Sequence, residues 1–463
     1  MQEPGSFHHV MVDEFGKRLV LGWSPTPEDK QIRAFIECVD EMRPDLVGIS
    51  LTTVALQASI AITRAVRKQL PSVPAVWGGI EPTIEPERCL EHADMVCMGE
   101  GEEVMVELCD RLDSNRDYAD VRNLWVKRDG EIVRNPLRPL VADLDNLPFP
   151  DYFPQHNILL EEGMRREYGF DLYDNEYDIM TARGCPFACT FCCNSQLHKL
   201  YPGQPRVRRR SVRNVIEELR QAKERFGIEY VRFNDDVFTD DVEWLEEFAR
   251  QYREHVGLPF WCNTHPAYSD LDALRFIKEA GVHSVTMGIQ SGSERILRQF
   301  YARPTKSEKI IETAATMARI GISANYDIIT NNPFETDDDC RDTFDLLLSL
   351  PKPMRLNGGM TELSLFPNTR IARMVEEQSP PPVDGRMFDF WNRMYLLTQH
   401  TYRFVPRNLL RAMSRSRLLR NNPWLLRPFL WVQYLKLLVY YWHRFTGWLR
   451  GNKRHQAPHQ PAV

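Results

Sequence analysis

Nine residues hold the densest chemistry in the chain: Gly184-Cys185-Pro186-Phe187-Ala188-Cys189-Thr190-Phe191-Cys192. Three cysteines at spacings of four and three residues can wrap one face of a compact inorganic cluster, and thiolate is the ligand that iron–sulfur clusters require. Three ligands rather than four is the informative number. A four-iron cluster held by three thiolates keeps one iron open to another ligand, much as a catalytic zinc keeps an open position. The same triplet admits a zinc knuckle, whose fourth ligand His198 could supply, and it admits inert buried thiols. Cys193 adjoins the triplet but is read as a structural thiol, because neighbours in sequence rarely bind one metal together.

Such a loop needs a rigid base. Ile179-Met180-Thr181 precedes it as a strand and opens a series that continues with Tyr230–Phe233, Phe260–Cys262, Ser284–Met287, Ala324–Ile329 and Glu362–Leu365. Six strands with helices between them predict a partial or complete βα barrel, with chemistry at the strand C-termini. An earlier series, from residue 18 to about 115, alternates strands at 46–50, 75–77 and 95–97 with helices near 60–70 and 102–112. Ser50, Thr52, Thr53, Gly78, Gly79, Gly99 and Gly101 follow those strands, where open α/β sheets bind ligands and where glycine admits a close backbone approach. Ordinary βα turns would look the same. Asp129-Gly130 between apolar runs predicts a hairpin, and the prolines from Pro136 to Pro150 mark a linker.

At about 150 residues per domain, 463 residues predict about three units. The net charge of −6 hides an asymmetry: residues 401–463 hold 12 Lys and Arg and no Asp or Glu, leaving 46 basic against 64 acidic residues before them, a net of −18. That basic tail carries Trp424, Trp431, Trp442 and Trp448 among other aromatics. It fits a helix lying in a membrane interface, helices packed on the barrel, or an RNA-binding surface. Its apolar run, Phe429 to Trp442, is too short to span a bilayer. No secretory leader is visible at the N-terminus, and the cysteine density is far from that of a disulfide scaffold, so a reducing, cytoplasmic setting is expected. If the tail docks, the protein would sit peripherally on the inner membrane face.

Cys-x3-Cys-x2-Cys after the first strand of a βα barrel resembles the signature of the radical S-adenosylmethionine (SAM) superfamily. Later segments agree with it. Asn234, Asp235 and Asp236 end the second strand, where that family contacts the methionyl amino group. Gln290 and Ser291, in Met287–Ser293, stand at the ribose and carboxylate contact. Pro333 lies in Asn331–Thr336, at the turn bordering the adenine, with Asn332 and Phe334 replacing the usual glycines. Pro44–Ser50, Trp77–Gly79 and Gly99–Glu103 resemble the cobalamin (vitamin B12)-binding domain fused ahead of many such barrels. No Asp-x-His-x-x-Gly motif is present to supply a lower-axial histidine, and the chain starts near that module's second strand, so its first βα unit is expected to be missing.

The resemblance implies an α/β fold: an N-terminal Rossmann-like parallel sheet (1–120), a hairpin and proline-rich linker (121–175), a radical-SAM (βα)6-type partial TIM barrel (176–400) and a helical basic, aromatic tail (401–463). It implies that Cys185, Cys189 and Cys192 hold a [4Fe–4S] cluster that reductively cleaves SAM to a 5′-deoxyadenosyl radical. Cobalamin would be cradled by Ser50, Thr52, Thr53, Gly78, Gly79, Gly99 and Gly101. The expected activity is C-methyl transfer. The alternatives are a radical oxidoreductase or cyclase without methyl transfer and, more remotely, a non-catalytic zinc-binding interaction module. Expected partners are a small-molecule substrate, hydrophobic or lipid-linked if the tail meets a membrane, and an electron donor such as flavodoxin or ferredoxin; nucleic acid is not expected. Asn263, His265 and Tyr326 are candidate substrate contacts or barrel-mouth packing. Arg206, Arg208, Arg209 and Arg210 would hold a substrate anion or pair with acidic neighbours.

Overall fold

A computed structural model describes residues 9–12, 18–21, 29–153, 156–161, 164–167, 175–352, 354–356, 360–399 and 405–430. The chain divides into two units. The first holds residues 22–235 and 364–377; the second holds 10–21, 236–363 and the chain from 378 on.

In the first unit, Val47–Ser50, Ala75–Gly78 and Met95–Cys97 pair in parallel, and Met95–Cys97 then pairs antiparallel with Leu124–Arg128. The strand alternation sorts side chains to two faces. Trp77 and Val96 pack with Leu56, Ile60 and Leu90 on one side, while Val76, Met95 and Cys97 pack with Val104 and Leu108 on the other. Both faces of Ala75–Gly78 and Met95–Cys97 are covered, which is why these two read as continuous apolar runs, whereas Val47–Ser50 leaves Gly48 and Ser50 exposed. The hairpin closes as the sequence predicts. Arg128 pairs with Glu131 across a two-residue turn in which Asp129 and Gly130 have φ of 52° and 84°, the left-handed pair that such a turn requires.

Farther along the same unit, Glu176–Ile179 pairs in parallel with Tyr230–Phe233. Ala182–Gly184 and Val207–Arg209 form an antiparallel ribbon with the cysteine loop and the helix Asn194–Leu200 between them. The helix Val212–Phe226 connects the ribbon to Tyr230–Phe233; the Ser211 side chain caps its N-terminus and Gly227, at φ 65°, ends it.

The second unit continues the βα pattern. Phe260–Thr264, Val282–Gln290, Ser323–Thr330 and Met360–Glu362 follow one another in parallel register. Four of the six strands read from the sequence are present at their places; the first lies at 176–179 rather than 179–181 and the last at 360–362 rather than 362–365. The helix Asp337–Ser349 starts in a reciprocal capping box between Thr336 and Asp339. Gly292 lies so near it that a Cβ would stand 2.4 Å from the Thr343 backbone, so the strand-end glycine is a packing requirement. The helix Gly385–Thr398, buried along most of its length, packs on Asp337–Ser349. Arg407–Ser414 and Arg417–Asn421 pack against Gly385–Thr398, the former burying Leu410 and Met413, as does the turn Pro423–Leu426, which buries Leu426. The described stretch of the tail, 405–430, thus follows the packed-helix reading; 401–404 and 431–463 lie outside the described residues. No helix of the described residues is long and apolar enough to cross a membrane.

Candidate functional site

The cysteine loop leaves the ribbon at Gly184, whose φ is 94° and whose absent Cβ would sit 2.0 Å from the Arg206 carbonyl oxygen. Only glycine fits so close to the opposite strand. One residue later comes Cys185, half-buried; Cys189 is buried and Cys192 half-buried, and no disulfide joins any of them. The Cys192 amide donates to the Cys189 carbonyl at 3.1 Å, and the Ser195 amide donates to the Cys192 carbonyl at 3.2 Å, so the loop is wound into turns that lead into the next helix. The Asn194 side-chain amide donates to the Cys192 sulfur at 3.6 Å. A donor aimed at sulfur favours the thiolate that an iron cluster needs. Among the described residues no group of three or more His, Cys, Asp or Glu is disposed to hold a single metal ion.

Beside this loop lies a cavity of about 820 Å³. One wall is the C-terminal edge of the N-terminal sheet, including Ser50, Gly78, Gly79, Gly99 and Gly101. The facing wall comes from Arg183 and Gly184 on the ribbon, from Asn194, Leu197 and His198 on the helix after the cysteines, and from Tyr201. Five of the seven residues read as a cobalamin cradle therefore share one cavity. Thr52 and Thr53 lie off it: Thr52 is exposed, and buried Thr53 donates to Glu81 at 2.6 Å. Gly79 and Gly99 have φ of 99° and 75°, and a Cβ on Gly79 would fall 2.6 Å from the Leu51 carbonyl. Side-chain-free backbone thus faces a space within the usual range for bound cofactors, which fits a large flat ligand such as a corrin.

Glu100 ties the two walls together. It accepts from Arg208 at 2.8 and 3.1 Å, from Arg183 at 2.9 Å and from the Val141 amide at 2.7 Å. Burial works against its ionisation, but Arg208, the Val141 amide and Arg183 together outweigh it and hold its carboxyl below the ordinary value. Arg183 also reaches Glu102 at 2.5 Å. Burial pushes the Tyr201 hydroxyl up to about 12 and the Cys97 thiol up to about 11, so both are neutral donors in this wall.

The arginine run is committed to protein acceptors. Arg206 donates to the Pro186 carbonyl at 3.2 Å, Arg208 to Glu100, Arg209 to Thr181 at 2.6 Å, and Arg210 to Glu218 at 2.5 Å and Asn214 at 2.7 Å. Of its two readings, the pairing one describes what is seen, with Glu218 and Asp235 buried rather than solvated.

The residues read as SAM contacts occupy different settings. Exposed Asn234 donates to Asp178 at 2.7 Å. Asp235 is fully buried, accepts from the Thr181 hydroxyl at 2.7 Å and amide at 3.1 Å, and lies 3.7 Å from Arg209; burial raises its pKa against the pull of Arg209 and Thr181. Asp236 is exposed. In the second unit, Gln290 ends its strand at φ 70°, and fully buried Ser291 lies 3.3 Å from the Thr343 hydroxyl. Pro333 follows the adjacent parallel strand and is half-buried. Asn263 is half-buried, Tyr326 is buried, and buried His265 is held neutral, its pKa driven down to about 2 by desolvation and then by Arg303. Sequence reasoning missed Tyr201, Leu197 and Arg183 as cavity walls. Arg183 had a signal in its place beside Gly184; Tyr201 and Leu197 had none.

Comparison with known proteins agrees with this geometry. The B12 binding domain profile matches residues 21–109 and the Radical SAM superfamily profile matches 179–347. The chain is 28% identical over 353 residues to an uncharacterized methyltransferase, PH0819, of Pyrococcus horikoshii, covering 74% of this chain and 72% of that one. It is 27% identical to the cytidylyl-2-hydroxyethylphosphonate methyltransferase of Streptomyces wedmorensis, covering 59% of this chain and 55% of that protein. Among solved structures it shares the fold of the radical SAM methyltransferase TsrM from Kitasatospora setae with cobalamin and a [4Fe–4S] cluster bound, at a TM-score of 0.61 and 20% identity, covering 76% of this chain and 67% of that one. The cysteine loop, the glycine-lined cavity and the two matched domains agree: a Radical SAM superfamily domain follows a B12 binding domain in this chain, which is an enzyme of the radical SAM class whose cofactors are a [4Fe–4S] cluster, SAM and cobalamin.

Proposed function

We propose that this enzyme is a cobalamin-dependent C-methyltransferase acting on a small molecule. The observation that carries the reading is the shared cavity: glycine-lined strand ends of the B12-binding domain and the residues flanking the cluster loop bound the same space of about 820 Å³. A methyl carrier held there would lie beside the cluster loop, the proximity that lets two cofactors serve one substrate. When bound, the cofactors supply the reductive cleavage of SAM and the methyl group; the protein supplies binding, orientation and exclusion. Cys185, Cys189 and Cys192 would hold the cluster. Gly78, Gly79, Gly99 and Gly101 line the space in which the corrin would lie. Glu100, through Arg183 and Arg208, fixes the cluster ribbon to the cradle loop, and Leu140, Leu197 and Met105 make part of the wall apolar. Reductive cleavage calls for a one-electron donor, of the flavodoxin or ferredoxin kind.

The test is anaerobic reconstitution followed by iron and cobalt analysis and turnover with methyl-labelled SAM. Labelled methyl in product, together with 5′-deoxyadenosine, supports the reading. Formation of 5′-deoxyadenosine with an oxidised or cyclised, unlabelled product refutes methyl transfer. Iron without bound cobalt refutes the cofactor assignment of the cavity.

A further inference from the structure

Within residues 405–430 the inner and outer surfaces differ in kind. Leu410, Met413, Leu426 and Leu430 are buried, and the short helices of this stretch pack on Gly385–Thr398. The outer surface carries Leu409, 45% exposed, Leu418, 64%, Trp424, 59%, and Phe429, 39%. These are four of the ten large hydrophobic side chains left exposed among the described residues, gathered into 21 positions. Around them Arg407, Arg411, Arg415, Arg417 and Arg427 are exposed. Among the described residues none of these five makes a salt bridge, whereas Arg420, half-buried, is bound to Asp337 at 2.5 Å. No Asp or Glu occurs anywhere after residue 400.

We infer that this surface docks on an anionic lipid bilayer. Four large exposed apolar side chains within 21 positions are more than scattered single exposures, and a partner that covers them must tolerate five cations that make no salt bridge among the described residues. A second copy of the same surface is disfavoured by like-charge repulsion. RNA would use the arginines and could stack on Trp424 and Phe429, but it gives Leu409 and Leu418 nothing to contact. A bilayer surface satisfies every group. Leucine and phenylalanine enter the acyl boundary, tryptophan sits at the headgroup level, and arginine extends to the phosphates. With no described helix long enough to span, the attachment through this surface is peripheral and reversible.

The test uses the full chain, pelleted with vesicles of pure phosphatidylcholine or of phosphatidylcholine enriched in phosphatidylglycerol. The expected result is binding to the anionic vesicles, weakened as salt rises. At about five-fold per arginine, the triple variant Arg411→Gln/Arg415→Gln/Arg417→Gln should bind roughly 100-fold more weakly. Leu418→Ser/Trp424→Ser should lose about ten-fold or more, with the charge untouched. All five positions are exposed, so melting behaviour should match the parent protein. Equal binding to both vesicle types, binding to neither, or retention on an RNA oligomer without vesicle pelleting overturns the inference. None of these outcomes bears on methyl transfer.

Discussion

Gly99 and Tyr201 meet across the cavity at a distance that makes their coupling measurable. A Cβ on Gly99 would lie 1.8 Å from the Tyr201 hydroxyl oxygen and 3.1 Å from the ring carbon that bears it. Gly99→Ala therefore carries two penalties. The left-handed backbone at φ 75° costs an L-residue about 1–2 kcal/mol. Overpacking against Tyr201, which is only 6% exposed and cannot swing aside, adds about 1–3 kcal/mol. Tyr201→Phe removes the oxygen and leaves only the 3.1 Å contact, which a few tenths of an ångström of ring movement relieves. In that background Gly99→Ala should cost the backbone term alone. A double-mutant cycle on the first urea transition should then show a favourable coupling of about 1–3 kcal/mol. Additivity of the two substitutions to within about 0.5 kcal/mol would refute the close approach and, with it, the placement of Tyr201 over the cradle.

Three further outcomes follow from the site and its surroundings. Replacing Cys185, Cys189 or Cys192 with alanine should abolish bound iron and 5′-deoxyadenosine formation, whereas Cys193→Ala should keep most of the iron, read by iron analysis after anaerobic reconstitution. Glu100→Gln should destabilise the first unit by about 2–3 kcal/mol at pH 7, below the full penalty for breaking a wholly buried ion pair because Glu100 and Arg183 retain some exposure. Because the folded-state pKa of Glu100 is depressed, its contribution is present above the ordinary value of 4.5 and fades as pH falls, so the variant and the parent should converge in acid denaturation. Glu335 has the opposite sign. Burial first, then Asp339, raises its pKa to about 8, so a penalty builds as pH rises from 4.5 towards 8; Glu335→Gln should gain stability over the parent at pH 8 and little at pH 4.

Local pattern and tertiary need coincide in the most legible parts of the sequence. Asp129-Gly130 specifies its own turn, and the apolar runs at 46–50, 75–77 and 95–97 announce strands, the latter two covered on both faces. The sequence pattern places the strand before the cysteine loop two to three residues too late, because Glu176 and Asp178 look polar; they alternate with buried Tyr177 and Ile179, the half-buried pattern of a strand with one face outward. At the sixth strand Leu363 and Leu365 invite extension, but pairing stops at Glu362 and Leu365 is exposed. Motif position alone does not reveal that the Asp235 carboxylate turns inward to Thr181, or that Tyr201 arrives opposite Gly99. Both depend on where a second segment of chain lands, which carries no local signature.

The link between cradle and cluster loop follows from the placement of one carboxylate. Glu100 stands between Gly99 and Gly101, all three lining the cavity, so its side chain has to leave the glycine loop for a partner. It leaves toward the ribbon, to Arg183, two residues before Cys185, and to Arg208 on the paired strand. The largely buried Arg208 guanidinium stays compensated only while that carboxylate is ionised and in place, since a buried charge without its partner costs more than a packed neutral pair, whereas Arg183 also holds Glu102. One carboxylate therefore joins the glycine loop to both strands of the ribbon that carries the cysteine loop.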